Sequence, residues 1–304
     1  MNLMIAIKHI FCPTDLSDES DAALSYAISL ARTYESKLSI YHCGAASTPV
    51  GETAREKFEE WNEASIRKWT GFSNGLPADY ESMLVRGDPV ETINKAAAGW
   101  RADLIVMRSR HHRPQAAALL GSTAEAVCRT APCPVLITHP NKHEWVGMSR
   151  CEIDLRKILV ACDFSTDSEL ALQLALSFAQ EYQAELHLLH VLPVTLSLVV
   201  PHETKMRKKD FLHIARLLRQ AVPDKLYLWC KVAYAVKNGQ PYREILSYAE
   251  ENEIDLICMG VHGTGIAGPA LFGSNTDRVL RQAPCPVLIA RPLKPMTFEN
   301  GKNS

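Results

Sequence analysis

Ala131-Pro132-Cys133-Pro134-Val135-Leu136-Ile137 returns letter for letter as Ala283-Pro284-Cys285-Pro286-Val287-Leu288-Ile289, 152 residues later. Working outward, Ile10 to Ser17, which holds Asp15-Leu16-Ser17, aligns with Ile158 to Ser165, which holds Asp163-Phe164-Ser165, at an offset of 148. Between these ends, further pairs keep the same order. They include Gly87-x-Pro89 with Gly239-x-Pro241, Asp103-Leu104-Ile105 with Asp255-Leu256-Ile257, and Gly121-Ser122 with Gly273-Ser274. So many collinear matches mean that one domain has been duplicated and fused, with a period far longer than that of solenoid repeats. The expected division is a first copy at 1–140, a polar linker at 141–155, a second copy at 156–293 and a polar tail at 294–304.

Each copy alternates short apolar runs with amphipathic stretches. In the second, strands are expected at 157–161, 186–192, within 226–236, at 256–259 and at 287–290. Helices are expected at 168–182, 205–220, 242–251 and 274–282. In the first, strands are expected near 7–12, 38–43, 80–85, 103–107 and 135–138. Nearly continuous apolar strands alternating with helices specify a parallel sheet covered on both faces. The fold class is therefore α/β, with two doubly wound, Rossmann-like domains of about five strands each. Ligands of such sheets bind at the carboxyl ends of the strands, near the switch in strand order.

Bulk properties narrow the partners. The 304 residues carry 33 Lys+Arg against 34 Asp+Glu, so no net charge pulls toward nucleic acid or an anionic membrane. No apolar run approaches the ~20 residues of a bilayer span, and Met1 to Phe11 reads as a first strand rather than a signal peptide. A cytoplasmic location is expected. Nine cysteines, with no C-x-x-C pair, suit reduced structural thiols better than disulfides or zinc. No metal site is expected.

The chemistry lies after the fourth strand of the second copy, in Met259-Gly260-Val261-His262-Gly263 through Gly273-Ser274-Asn275. The spacing is Gly-x2-Gly-x9-Gly-Ser, running from a strand end into a helix start. Glycines permit positive φ and close approach of backbone N–H groups to phosphate oxygens. A helix N-terminus at Gly273 and Ser274 favours an anion. A flexible loop with an ordinary helix cap would show similar residues.

With that loop, the chain resembles a tandem member of the universal stress protein family, whose ATP-binding members carry the same pattern. The Asp ending the first strand, the Gly-x-Pro turn and the Pro-Cys-Pro-Val-Leu run extend the likeness over nearly the whole chain, twice. The resemblance implies a fold of the adenine-nucleotide alpha hydrolase type and an adenine pocket bounded by Ala161, Cys162, Asp163 and Val191. It also implies that Met259, Gly260, His262 and Gly263 wrap the ribose and phosphates, with Gly273, Ser274 and Asn275 on the phosphate tail. The ligand would be ATP, with or without Mg2+. Fifth strands are the customary dimer edge of single-domain relatives, so 135–138 and 287–290 are expected to meet as an intramolecular pseudo-dimer; pairing of two chains as a homodimer is left open.

The first copy departs from the pattern. Arg108 stands against Gly260 and His111 against Gly263, while Ser122-Thr123-Ala124-Glu125 reads as a capping box that needs no ligand. The cationic run Arg108, Arg110, His111, His112, Arg113 reads first as a solvated or interdomain loop, with a modified anion site or a metal site as alternatives. No P-loop, nucleophile elbow, kinase signature or His-Glu-x-x-His occurs, so no dedicated catalysis is expected, at most weak ATPase activity. His262 is the one plausible proton-transfer group in the loop, and a hydrogen bond to phosphate is its first reading. The leading expectation is a stress-response regulator that binds ATP in the second copy, the first being structural or weakly binding. The alternatives are an ATP-independent scaffold interacting with unknown protein partners, or a slow ATP hydrolase.

Overall fold

The computed structural model describes residues 6–44, 52–70, 79–109, 120–139, 144–146, 152–193, 208–263 and 273–292. The first half runs β1 (His9–Thr14), α1 (Asp18–Thr33), β2 (Lys37–Gly44), α2 (Glu52–Thr70), β3 (Tyr80–Arg86), α3 (Pro89–Gly99), β4 (Leu104–Arg108), α4 (Ser122–Thr130) and β5 (Val135–Thr138). The second repeats it as β6 (Lys157–Ala161), α5 (Thr166–Tyr182), β7 (Glu185–Pro193), α6 (Lys208–Gln220), β8 (Val232–Gly239), α7 (Pro241–Glu251), β9 (Leu256–Gly260), α8 (Ser274–Gln282) and β10 (Val287–Ala290).

All ten strands form one sheet, ordered β3-β2-β1-β4-β5-β10-β9-β6-β7-β8. Within each half every pairing is parallel, and the order reverses beside β1 and again beside β6. The halves join where β5 and β10 pair antiparallel, Leu136 opposite Leu288. Each would otherwise be an exposed apolar edge, open to pairing with another chain. Strand alternation sends Leu136 and Leu288 to one face, with α1, α2, α5 and α6. It sends Val135, Ile137, Val287 and Ile289 to the other, with α3, α4, α7 and α8. Both hydrophobic layers thus run unbroken through the two halves. Each fully buried Val, Leu or Ile at this seam contributes roughly 1.5–3 kcal/mol.

Three local features differ from the sequence reading. The third strand of the second half begins only at Val232, because Pro223 enters with φ −63 and Leu226 N–H donates to Pro223 O at 2.9 Å, turning Asp224–Leu228 into a 3-10 helix. Leu226 is buried there while Leu228 is 86% exposed; a short apolar run does not distinguish strand from helical turn. The capping box at Ser122 does not form. Gly121 is the N-cap of α4, without a side-chain cap bond, and Glu125 turns instead to Arg129 and Arg281. The polar linker is packed in part: Trp145 is buried edge-on against Tyr26 of α1, ring centroids 4.7 Å apart, and Leu155 joins the same layer, while Glu152 and Asp154 are exposed. Among the described residues no helix is long and apolar enough to cross a membrane.

Candidate functional site

At the carboxyl end of β6 the chain turns sharply through Phe164, whose φ is +64. Asp163 makes the turn: its Oδ1 accepts from Ser165 N at 3.0 Å and from Ser165 Oγ at 2.5 Å. Ser165 Oγ in turn accepts from Ser168 N at 3.2 Å, capping α5. The first half has the same construction, with Leu16 at φ +65, Asp15 on Ser17 and Ser17 on Ser20. Each half also sets a histidine under the turn. His190 Nδ1 lies 2.6 Å from Cys162 O, and His42 Nδ1 lies 2.8 Å from Thr14 O. In each ring Nδ1 is tied to a main-chain carbonyl, which fixes the ring under the turn.

Over this turn, at the switch between β6 and β9, lies a cavity of about 430 Å³. It brings together every second-half residue that the resemblance places at the nucleotide. Ala161, Cys162 and Asp163 come from the end of β6 and Val191 from β7. Met259 and Gly260 come from β9, His262 and Gly263 follow it, and Gly273, Ser274 and Asn275 open α8. Leu189, Pro241 and Ile245 complete an apolar wall that the sequence reading did not single out; Pro241, in the Gly-x-Pro turn, was its one available signal. Buried Cys162 is pushed up to about 12 by desolvation and by Asp163, so its thiol is a packing group rather than a nucleophile.

The loop glycines serve space rather than left-handed backbone. None of Gly260, Gly263 and Gly273 has φ in the positive region, contrary to the expectation drawn from their type. A Cβ on Gly260 would lie 2.6 Å from Asp167 Cβ and 2.8 Å from the Asp167 carbonyl carbon. One on Gly263 would lie 2.7 Å from Asp163 Oδ2, and one on Gly273 3.0 Å from Val261 O. Bare backbone is what lets β9 and the start of α8 close around the cavity. Thr276 adds a tie by donating from Oγ1 to Gly260 O at 3.0 Å.

Asp167, in the first turn of α5, was missed by the sequence reading because an acidic residue there is ordinary. Its Oδ2 accepts from His262 N at 3.1 Å and lies 3.0 Å from His262 Nδ1. One carboxylate oxygen therefore holds both the main chain and the ring of His262.

In the first half, the residue at the place of Gly260 does something else. Arg108 buries its side chain, and Nη2 lies 3.5 Å from Glu144 of the linker, near the Tyr26 and Trp145 pair. Residues Arg110, His111, His112 and Arg113 lie outside the described residues.

The model described as the universal stress protein family matches this chain twice, over residues 6–139 and 154–291. A universal stress protein of Mycolicibacterium smegmatis is 27% identical over 300 residues, covering 93% of this chain and 97% of its own length. Universal stress protein YxiE of Bacillus subtilis is 36% identical over 148 residues, covering 44% of this chain and 98% of its own. Among solved structures, a universal stress protein from Archaeoglobus fulgidus superposes with a TM-score of 0.66 at 22% identity, covering 94% of this chain and 99% of its own; that likeness concerns the fold.

Proposed function

The chain belongs to the universal stress protein family, and from that premise we propose that it is a stress-response regulator that binds ATP in its second half. One observation carries the reading: a cavity at the topological switch is lined by strand ends, by Gly260 and Gly263 and by the start of a helix. The apolar wall of Val191, Leu189 and Ile245 suits a purine face, and Asp163 borders it. The Gly273 amide is spent on Val261 O at 3.1 Å, which leaves the main-chain amides of Ser274 and Asn275, at the N-terminus of α8, to face the polyphosphate. Its volume falls in the range of small-molecule sites, about 300–1,000 Å³.

The first half keeps the Asp turn and its histidine but puts Arg108 where Gly260 belongs. Its role in this reading is structural. Nucleotide occupancy of the second half then changes the surface offered to partner proteins. Isothermal titration of ATP into wild-type protein and a Gly263→Arg variant tests the proposal. Micromolar binding by wild type, lost in the variant, is the expected result. Equal affinities, or no heat in either, would favour an ATP-independent scaffold.

A further inference from the structure

The cavity presents a charge problem. Among the described residues that line it there is no Lys or Arg, and Asp163 lies at its border. The sequence from Gly260 to Asn275 contains neither Lys nor Arg. A polyphosphate would meet a helix N-terminus worth about half a charge together with the carboxylate of Asp163, and a second carboxylate, Asp167, stands against His262. Of the two lining histidines, His190 packs against Phe164 with Nδ1 on a neutral carbonyl, whereas His262 stands beside Gly273 at the opening of α8 with a carboxylate on its Nδ1.

Asp167 determines how His262 can act. Because the carboxylate oxygen only accepts, the ring nitrogen facing it, Nδ1, carries the proton. In the neutral ring Nε2 is then an acceptor, and among the described residues it has no hydrogen-bond partner. A phosphate oxygen is also an acceptor, so the two cannot meet without a proton between them. Charged groups on the neighbouring elements are engaged elsewhere. Asp163 lies beside Gly263, Arg291 after β10 interacts with Asp167 while donating to Cys128 O, Asp277 pairs with Arg281 on α8, and Arg278 stacks on Tyr242.

We propose that Asp167 is a positioning residue that fixes His262 for proton uptake, so that binding of a nucleotide polyphosphate converts the ring to imidazolium with Nδ1 on Asp167 and Nε2 on a phosphate oxygen. The proton comes from solvent, and no bond of the nucleotide is broken. This rests on the nucleotide reading of the cavity and makes its occupancy sensitive to pH and selective for a charged phosphate tail over a bare nucleoside.

Titrations of ATP and of adenosine at pH 8, each in two buffers of different ionisation enthalpy, count the protons taken up. Wild type is expected to take up protons with ATP and none with adenosine. His262→Gln should abolish the uptake. Asp167→Asn, which keeps an acceptor for the His262 amide and ring but removes the charge, should reduce uptake and weaken ATP about fivefold or more, with adenosine unchanged. ATP heats identical in the two buffers, or uptake retained in His262→Gln, would overturn the proposal while leaving nucleotide binding intact. Absence of ATP heat in every buffer would remove the nucleotide reading and this inference with it.

Discussion

His139 and Arg291 stand at matched positions of the two halves, and each crosses the seam to a main-chain carbonyl of the opposite half. His139 Nε2 lies 2.6 Å from Leu280 O, and Arg291 Nη1 donates to Cys128 O at 2.6 Å. The two carbonyls are themselves matched, one in α4 and one in α8. The fused chain therefore keeps the two-fold logic of an isologous dimer, although its sequence has diverged to a histidine on one side and an arginine on the other.

Removing one of these reaches should loosen the seam. Arg291 is buried, and burial lowers its ordinary pKa. Arg291→Met, which keeps the stem but strands Cys128 O, is expected to cost about 1–3 kcal/mol. Urea unfolding followed by tryptophan fluorescence measures it. An unchanged midpoint would mean that β5–β10 pairing alone holds the halves.

Gly260 and Gly263 should separate fold from site. Gly260→Ala places a methyl against Cβ and backbone of Asp167, so overpacking of roughly 1–3 kcal/mol is expected. Gly263→Ala meets one oxygen of the Asp163 carboxylate and no backbone, and because the other oxygen holds the turn at Ser165 a smaller but measurable loss, about 1 kcal/mol or less, is expected. Thermal melts of the two variants without ligand provide the comparison. Similar losses in both would contradict the geometry.

Trp145 tests whether the linker is part of the core. It is 2% exposed and lies edge-on to Tyr26. Trp145→Ala is expected to destabilise the protein by about 3–5 kcal/mol, whereas a loosely tethering linker would lose almost nothing. Chemical denaturation distinguishes the two.

The buried thiols predict an alkaline limit. Cys12, Cys128, Cys133 and Cys162 are each pushed up from 9.0 to about 12 by burial. The neutral thiol is the form the folded chain holds. Its stabilisation is complete below pH 9 and is lost as pH rises toward 12, by roughly 1 kcal/mol per thiol at pH 10. Melting temperature should fall between pH 8 and pH 10, and less steeply in Cys12→Ala. Equal slopes would assign the fall to other groups.

The duplicated Pro-Cys-Pro-Val-Leu-Ile runs and the alternation of strands and helices specified the architecture before any coordinate, because apolar periodicity reports which faces must be buried. The glycine spacing likewise marked Gly260, Gly263 and Gly273, which line the cavity, since a side chain at any of them would meet its neighbours. Residue types misled where several backbones fit one pattern. Ser122 and Glu125 have the identities of a capping box, yet the cap fell to Gly121 while Glu125 was drawn to Arg281 of the other half.

Sequence alone therefore determined the duplication, the parallel sheet in each half and the glycines that line the cavity, all of which depend on local pattern and spacing. Tertiary structure decided the rest. It brought Asp167 to His262 across 95 residues of chain, turned Arg108 toward Glu144, and folded Trp145 into the core. The reason is that a side chain's partner is chosen by which elements the sheet order makes neighbours, and that order becomes visible only when distant strands have paired.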